Sequence, residues 1–218
     1  MELLAGQITV VFSYLFGAIP FGLITARIAG IGDIRSKGSG NIGATNVWRI
    51  AGAKYAMWVF VGDIGKGALA VALAHWTYSS YMNTAISKDL FLSVCGMAAV
   101  IGHVFPVYLK FRGGKGVNTT LGVVATLLPL QALISFGVFI VTLAISRYVS
   151  LGSIIAAVTL SATLLIQKFV LYQDISITFP MLTILLAVLV VYAHRKNISR
   201  ILNGTENKFS FTGPKKNE

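Results

Sequence analysis

Charge is scarce in this 218-residue chain: 11% of it is Asp, Glu, Lys or Arg, and only 7 residues are acids, against 18 Lys and Arg. A soluble domain carries roughly twice that charged fraction, because its surface must stay wet. The composition therefore excludes an ordinary water-soluble globule. Cysteine is nearly absent. Cys95 alone cannot close an internal disulfide, and its apolar neighbours mark it as a buried, inert thiol. Carboxylates are few and scattered, and no paired His or Cys spacing occurs, so neither a metal centre nor a metal cofactor is expected. No G-x-S-x-G is present to support a serine hydrolase. The first apolar run lacks a basic leader and a small-residue cleavage site, so it reads as a retained helix.

What the chain has in abundance is apolar length: 56% hydrophobic residues and a mean hydropathy of +0.78. A membrane-spanning helix needs about 20 mostly apolar residues, and the stretches 3–29, 53–74, 90–109, 152–171 and 177–194 qualify. The uncharged stretch 119–146 is long for one helix and is interrupted by Pro129, which removes a backbone donor and disfavours helix before it. Basic residues decide how to count it. They cluster after the first helix (Arg27, Arg35, Lys37, Arg49, Lys54), at Lys110, Arg112 and Lys115, at Arg147, and from Arg195 onward. Basic loops stay cytoplasmic, and all four clusters fall inside only if 119–146 crosses twice or not at all. The reading is an all-α polytopic bundle of about seven membrane helices, two of them short and meeting near Pro129, with a re-entrant 119–146 as the alternative. Residues 1–203 form one domain, and the polar tail 204–218 is expected to be disordered. The net charge of +11 then serves topology and implies anionic lipid or a phosphorylated substrate as partner, not nucleic acid.

Three polar segments share the inferred cytoplasmic side. The first runs from Ser36 to Arg49 and holds Lys37, Gly38, Ser39, Gly40, Asn41, Gly43, Thr45 and Asn46. Closely spaced glycines let backbone N–H groups converge on an anion, and a guanidinium grips phosphate with two parallel donors. A tight turn between helices, with basic residues for topology, explains the composition equally well. Residues 38–43 fit G-x-G-x-x-G, yet the strand and βαβ unit of a dinucleotide site are missing. The second segment, Gly113-Gly114-Lys115-Gly116, has no Walker A spacing, but a lysine in flexible backbone followed by Thr119 and Thr120 suits an oxyanion. The third places His194, Asn197 and Arg200 at i, i+3 intervals, on one face if the last helix continues. Arg147 and Ser150 stand at another helix start, a natural anion position. Asp63 and Lys66 lie inside an apolar stretch at a spacing that allows a mutual ion pair.

Taken in order, these segments resemble the bacterial acyl-phosphate:glycerol-3-phosphate acyltransferase family. The resemblance runs through Gly38–Asn46 with Arg49, Asp63-Ile64-Gly65-Lys66-Gly67, Gly102-His103, Gly113–Val117, Arg147–Ser150, and His194, Asn197, Ile198 and Arg200. It implies a multi-pass enzyme of the bacterial inner membrane, with its active site on the cytoplasmic face. Such an enzyme moves a fatty acyl group from acyl phosphate to the 1-hydroxyl of glycerol 3-phosphate, giving lysophosphatidic acid and inorganic phosphate without a cofactor. Mapped onto this chain, the resemblance assigns His194, Asn197 and Ser39 to catalysis. It assigns Lys37, Asn41, Thr45, Asn46, Arg49, Gly113, Gly114, Lys115, Arg147, Ser150 and Arg200 to the substrate phosphates. Whether His194 is a base or a positioner stays open. The H-x-x-x-x-D of acyl-CoA-type enzymes is absent, since Ser80, Tyr108 and Ser199 stand five places after the three histidines. Two positions depart from the family pattern: Asn118 where a small residue such as alanine is expected, and Ile201 where leucine is. A transporter of phosphorylated solutes is the competing class, disfavoured because the cations gather at one face and no two halves correspond.

Overall fold

The computed structural model describes residues 1–82 and 86–210, and ten α-helices lie within them. They are α1 (Glu2–Gly17), α2 (Phe21–Ile28), α3 (Ala44–Ala51), α4 (Ala53–Tyr81), α5 (Lys88–Val104), α6 (Val117–Leu127), α7 (Pro129–Ser146), α8 (Val149–Phe169), α9 (Thr178–Ala193) and α10 (Arg195–Leu202). Five stretches are long and apolar enough to cross a membrane: 2–28, 53–81, 88–109, 129–146 and 149–169. The α9–α10 pair makes a sixth if it is counted as one span, bent by 59°.

Two expectations change. The first span is not one helix: Pro20 separates α1 from α2, because its ring and missing N–H cannot continue the ladder. The break at Pro129 is where the sequence puts it, but only one of its two helices is short. Helix α6 has 11 residues, whereas α7 has 18. At a rise of about 1.5 Å per residue α6 reaches only ~16 Å, about half the apolar thickness of a bilayer. The polar tail is described only in part. Residues 204–210 fold back over the bundle end, while 211–218 lie outside the described residues.

Packing of the bundle depends on close backbone approach more than on interlocking large side chains. Lipid offers apolar side chains nothing they lack elsewhere, so small residues at helix crossings gain contact instead. A Cβ on Gly67 of α4 would collide with the Thr119 carbonyl of α6, and one on Gly122 of α6 with the Ile64 carbonyl of α4. This reciprocal crossing pulls the start of α6, and with it Lys115, against the middle of α4. There Lys66 and Asp63 pair at 2.8 Å, both almost fully buried, as their spacing allows. Lys66 also donates to the Ile19 carbonyl at 3.0 Å, one of the acceptors set free by the break at Pro20.

Candidate active site

The loops after α2, α5, α7 and α9 meet at one end of the bundle, around a cavity of about 250 Å³. Its polar wall holds Ser39, Asn41, Thr45, Asn46, Arg49, Lys115, Ser150, His194, Asn197 and Arg200, with Asp63 and His103 at its lining too. Segments separated by more than 150 residues in the chain thus share one chamber, and most of the expected residues are in it.

The first loop is built around Asn46, which is 1% exposed. Its Oδ1 accepts from the Ser39 N–H at 2.8 Å, and its Nδ2 donates to the carbonyls of Asn41 at 2.9 Å and Lys37 at 3.0 Å. The amide is occupied by its own loop, which it bends so that Ser39 and Thr45 reach the cavity. Gly38 has φ of +58°, and a Cβ there would strike Asn46 Oδ1. The glycine serves the Asn46 contact directly. Asn41 Oδ1 accepts from Gly43 N–H at 2.8 Å, tightening the turn into α3.

The glycines of the second loop do other work than expected. The Gly113 and Gly114 N–H groups donate to the carbonyls of Val104 and His103, each at 3.1 Å, and so cap the end of α5. They are not free for an anion. Lys115 lines the cavity instead, and its pKa is lowered to about 8. Burial disfavours its charge, Glu206 favours it, and Arg200 and Arg49 oppose it. His103 lies with Nδ1 3.4 Å from Asp63 Oδ1, and its ring fills the space where Gly114 would carry a Cβ.

At the other wall the last helix does not continue: α9 ends and α10 begins at His194. His194, Asn197 and Arg200 nevertheless face one cavity, because the first turn of α10 leans over it. His194 is 1% exposed, and its Nδ1 lies 2.8 Å from the Val190 carbonyl. A carbonyl can only accept, so Nδ1 carries the proton and Nε2 keeps a free lone pair.

Besides Gly113 and Gly114, two expected residues do not line the cavity. Lys37 is exposed and lies outside the cavity wall; Arg147 is also exposed, and its carbonyl accepts from the Phe209 N–H at 2.7 Å. One residue had no expected role. Glu206 Oε1 accepts from Asn197 Nδ2 at 2.6 Å and Ser150 Oγ at 2.7 Å, and Oε2 pairs with Arg200 Nε at 2.7 Å. Burial pushes its carboxyl pKa up, but those hydrogen bonds and the Arg200 charge prevail and hold it below the ordinary range. The only signal in the sequence was its rarity, as one of 7 acids. The tail after it continues as a strap. Arg49 donates to the Asn207 carbonyl at 3.3 Å, Trp48 to the Ser210 carbonyl at 3.2 Å, and the Trp48 and Phe209 rings lie 5.4 Å apart.

A sequence profile described as glycerol-3-phosphate acyltransferase matches residues 7–204. The chain belongs to the glycerol-3-phosphate acyltransferase family. A glycerol-3-phosphate acyltransferase of Syntrophotalea carbinolica is 43% identical over 197 residues, covering 90% of this chain and 94% of that protein. Glycerol-3-phosphate acyltransferase 2 of Bacillus anthracis is 41% identical over 201 residues, covering 92% and 97%. The crystal structure of PlsY (YgiH), an integral membrane glycerol 3-phosphate acyltransferase, in its glycerol 3-phosphate form superposes with a TM-score of 0.82. It is 38% identical, over 95% of this chain and 96% of that one. The lysophosphatidic acid form gives 0.80 at 37% identity. This membership accounts for the gathering of cations and hydroxyls at one end of an otherwise apolar acyltransferase.

Beside the polar chamber lies an apolar slot of about 100 Å³, walled by α4, α6, α7, α8 and α9 with Leu121, Val124, Phe136 and Leu160 among its residues. A wider cationic bowl with Arg35, Arg112, Arg195 and Lys196 opens on the side of Lys115 and Arg200.

Proposed function

We propose that this acyltransferase moves a fatty acyl group from acyl phosphate to the 1-hydroxyl of glycerol 3-phosphate, at the cytoplasmic face of a bacterial inner membrane. The observation that carries the reading is the junction of two unlike spaces: a cation-rich chamber that suits two phosphates and, adjoining it, an apolar slot that suits an alkyl chain. Acyl phosphate has both characters in one molecule. The cationic bowl faces the same end as the basic loops, so glycerol 3-phosphate would arrive from the side where those loops are held.

In this reading Arg49, Lys115 and Arg200 carry the phosphates, and Ser39, Thr45 and Ser150 add hydroxyl donors. Asn46 positions the first loop, while Lys37 and Arg147 hold topology. His194, through Nε2, accepts from the glycerol hydroxyl and aims it at the acyl carbon, with Asn197 steadying the same wall. Glu206 keeps Asn197, Ser150 and Arg200 in register. Holding nucleophile and carbonyl together supplies much of the acceleration, and phosphate, already surrounded by cations, departs readily.

The test is phosphate release by purified protein in detergent or lipid mesophase, given palmitoyl phosphate with and without glycerol 3-phosphate. Release that requires glycerol 3-phosphate and yields lysophosphatidic acid supports the proposal. Release only from palmitoyl-CoA, or none from folded protein, refutes it. A pH series adds a sharper check. Lys115 loses its proton as pH rises through about 8, so KM for glycerol 3-phosphate is expected to climb above that pH. Lys115→Arg, always charged, should flatten the climb; an unchanged profile would place the phosphate elsewhere.

A further inference from the structure

The polar chamber and the apolar slot share five lining residues: Phe60, Val117, Asn118, Phe139 and Ser153. These make the neck through which a phosphate on one side and an alkyl chain on the other would be joined. In acyl phosphate the atom between those two parts is the carbonyl carbon. In the acyl-phosphate reading the neck is therefore where the carbonyl would lie. Two of its five side chains are polar. Ser153 Oγ donates to the Val149 carbonyl at 2.8 Å, which uses its only proton. The Asn118 side chain is half-buried, and its amide makes no hydrogen bond among the described residues. Its two N–H donors are therefore available to a group that occupies the neck.

We infer that the Asn118 side-chain amide donates to the acyl carbonyl oxygen of the donor substrate and stabilises the charge that gathers there during transfer. The inference rests on the acyl-phosphate reading above. The step balances simply. The glycerol oxygen bonds to the carbonyl carbon, electrons move to the carbonyl oxygen and return, and the carbon–oxygen bond to phosphate breaks. The hydroxyl proton leaves with inorganic phosphate in the net reaction. Negative charge on the carbonyl oxygen is greatest between the two bond changes, and that is when a fixed amide donor contributes most. Because the amide has no protein partner among the described residues, Asn118→Ala orphans nothing and should fold.

Removing one donor from an oxyanion hole costs about 10²–10³ in kcat where that donor is principal; here a fall of about tenfold or more is expected in Asn118→Ala. KM for glycerol 3-phosphate should not move, because the amide faces the donor. Asn118→Asp, equal in size but without the N–H donors, should fall at least as far. A second readout does not depend on turnover. With palmitoyl phosphate labelled with ¹³C at the carbonyl and no glycerol 3-phosphate, the bound carbonyl stretch should lie at lower frequency in wild type than in either variant. Both variants turning over within twofold of wild type, or an unshifted stretch, would overturn the assignment while leaving the acyl-phosphate reading standing. Wild-type protein that does not use palmitoyl phosphate overturns both.

Discussion

Replacing Lys115 by alanine is expected to lower kcat/KM about a thousandfold while leaving the bundle folded. A thousandfold corresponds to ~4 kcal/mol of transition-state stabilisation, the scale on which preorganised charges act in water-poor sites. Lys115 is positioned for it. Its loop is tied to the end of α5 through Gly113 and Gly114, and the residue that follows, Gly116 at φ +80°, is the N-cap of α6. Its ammonium has no hydrogen bond or ion pair within the protein among the described residues, and two guanidiniums, Arg200 and Arg49, oppose its charge. An unliganded site thus holds this charge at a cost and gains when phosphate arrives. Alanine removes that strain, so thermal stability should hold or rise as activity collapses. The pairing of those two results is the diagnostic part. Phosphate-release kinetics and a melting curve on the same preparation decide it. Activity within tenfold of wild type would shift the phosphate to the Arg49 and Arg200 side of the chamber.

Glu206→Ala is expected to fail in the opposite manner, by unfolding first. The carboxylate is 5% exposed and joins α8, through Ser150, to α10, through Asn197 and Arg200. The Arg200 side chain is 35% exposed, so water recovers part of its charge, and the larger cost is the buried Asn197 and Ser150 groups left without their acceptor, about 1–3 kcal/mol. For a chain of this size each kcal/mol shifts Tm by about 2–4 °C, so a drop of roughly 2–12 °C should appear in a melt. Glycerol 3-phosphate at saturating concentration should recover part of it, since a bound phosphate supplies the missing negative charge and binds only the folded form. Recovery equal to that of wild type would mean that Glu206 does not balance these cations. The same logic sets a pH trend. The folded carboxyl has a lower pKa than an unfolded one near 4.5, so its contribution is complete above that value and disappears as pH falls.

The two variants separate roles that one chamber brings together. Lys115 lines the chamber with no direct partner among the described residues and only the Glu206 charge in its favour; Glu206 is satisfied by the protein itself and keeps the wall in place. Both follow from a membrane enzyme's difficulty with charge, which must be concentrated enough to hold phosphates yet compensated enough to remain folded.

Much of this protein was legible in its residues one by one. Long apolar runs require helices in a bilayer, since every backbone polar group must be satisfied locally. The break at Pro129 follows from a missing N–H. The Asp63–Lys66 pair follows from helical spacing alone. Residues such as Arg49, Lys115, His194 and Asn197 stood out because polar groups in a poor background are conspicuous. Only the tertiary structure decided which of them meet. Lys37 and Arg147 are as basic as Arg49, but they lie on the outside of their turns. Gly113 and Gly114 look like an anion loop, yet their N–H groups are claimed by carbonyls at the end of α5. Glu206, in a polar tail that composition alone would leave disordered, is fixed by three partners from elements that begin as much as 57 residues before it (α8 starts at Val149). Local pattern reports what a side chain can do. Whether its hydrogen-bonding capacity is already spent depends on neighbours brought from elsewhere in the chain, and no spacing within one segment records that.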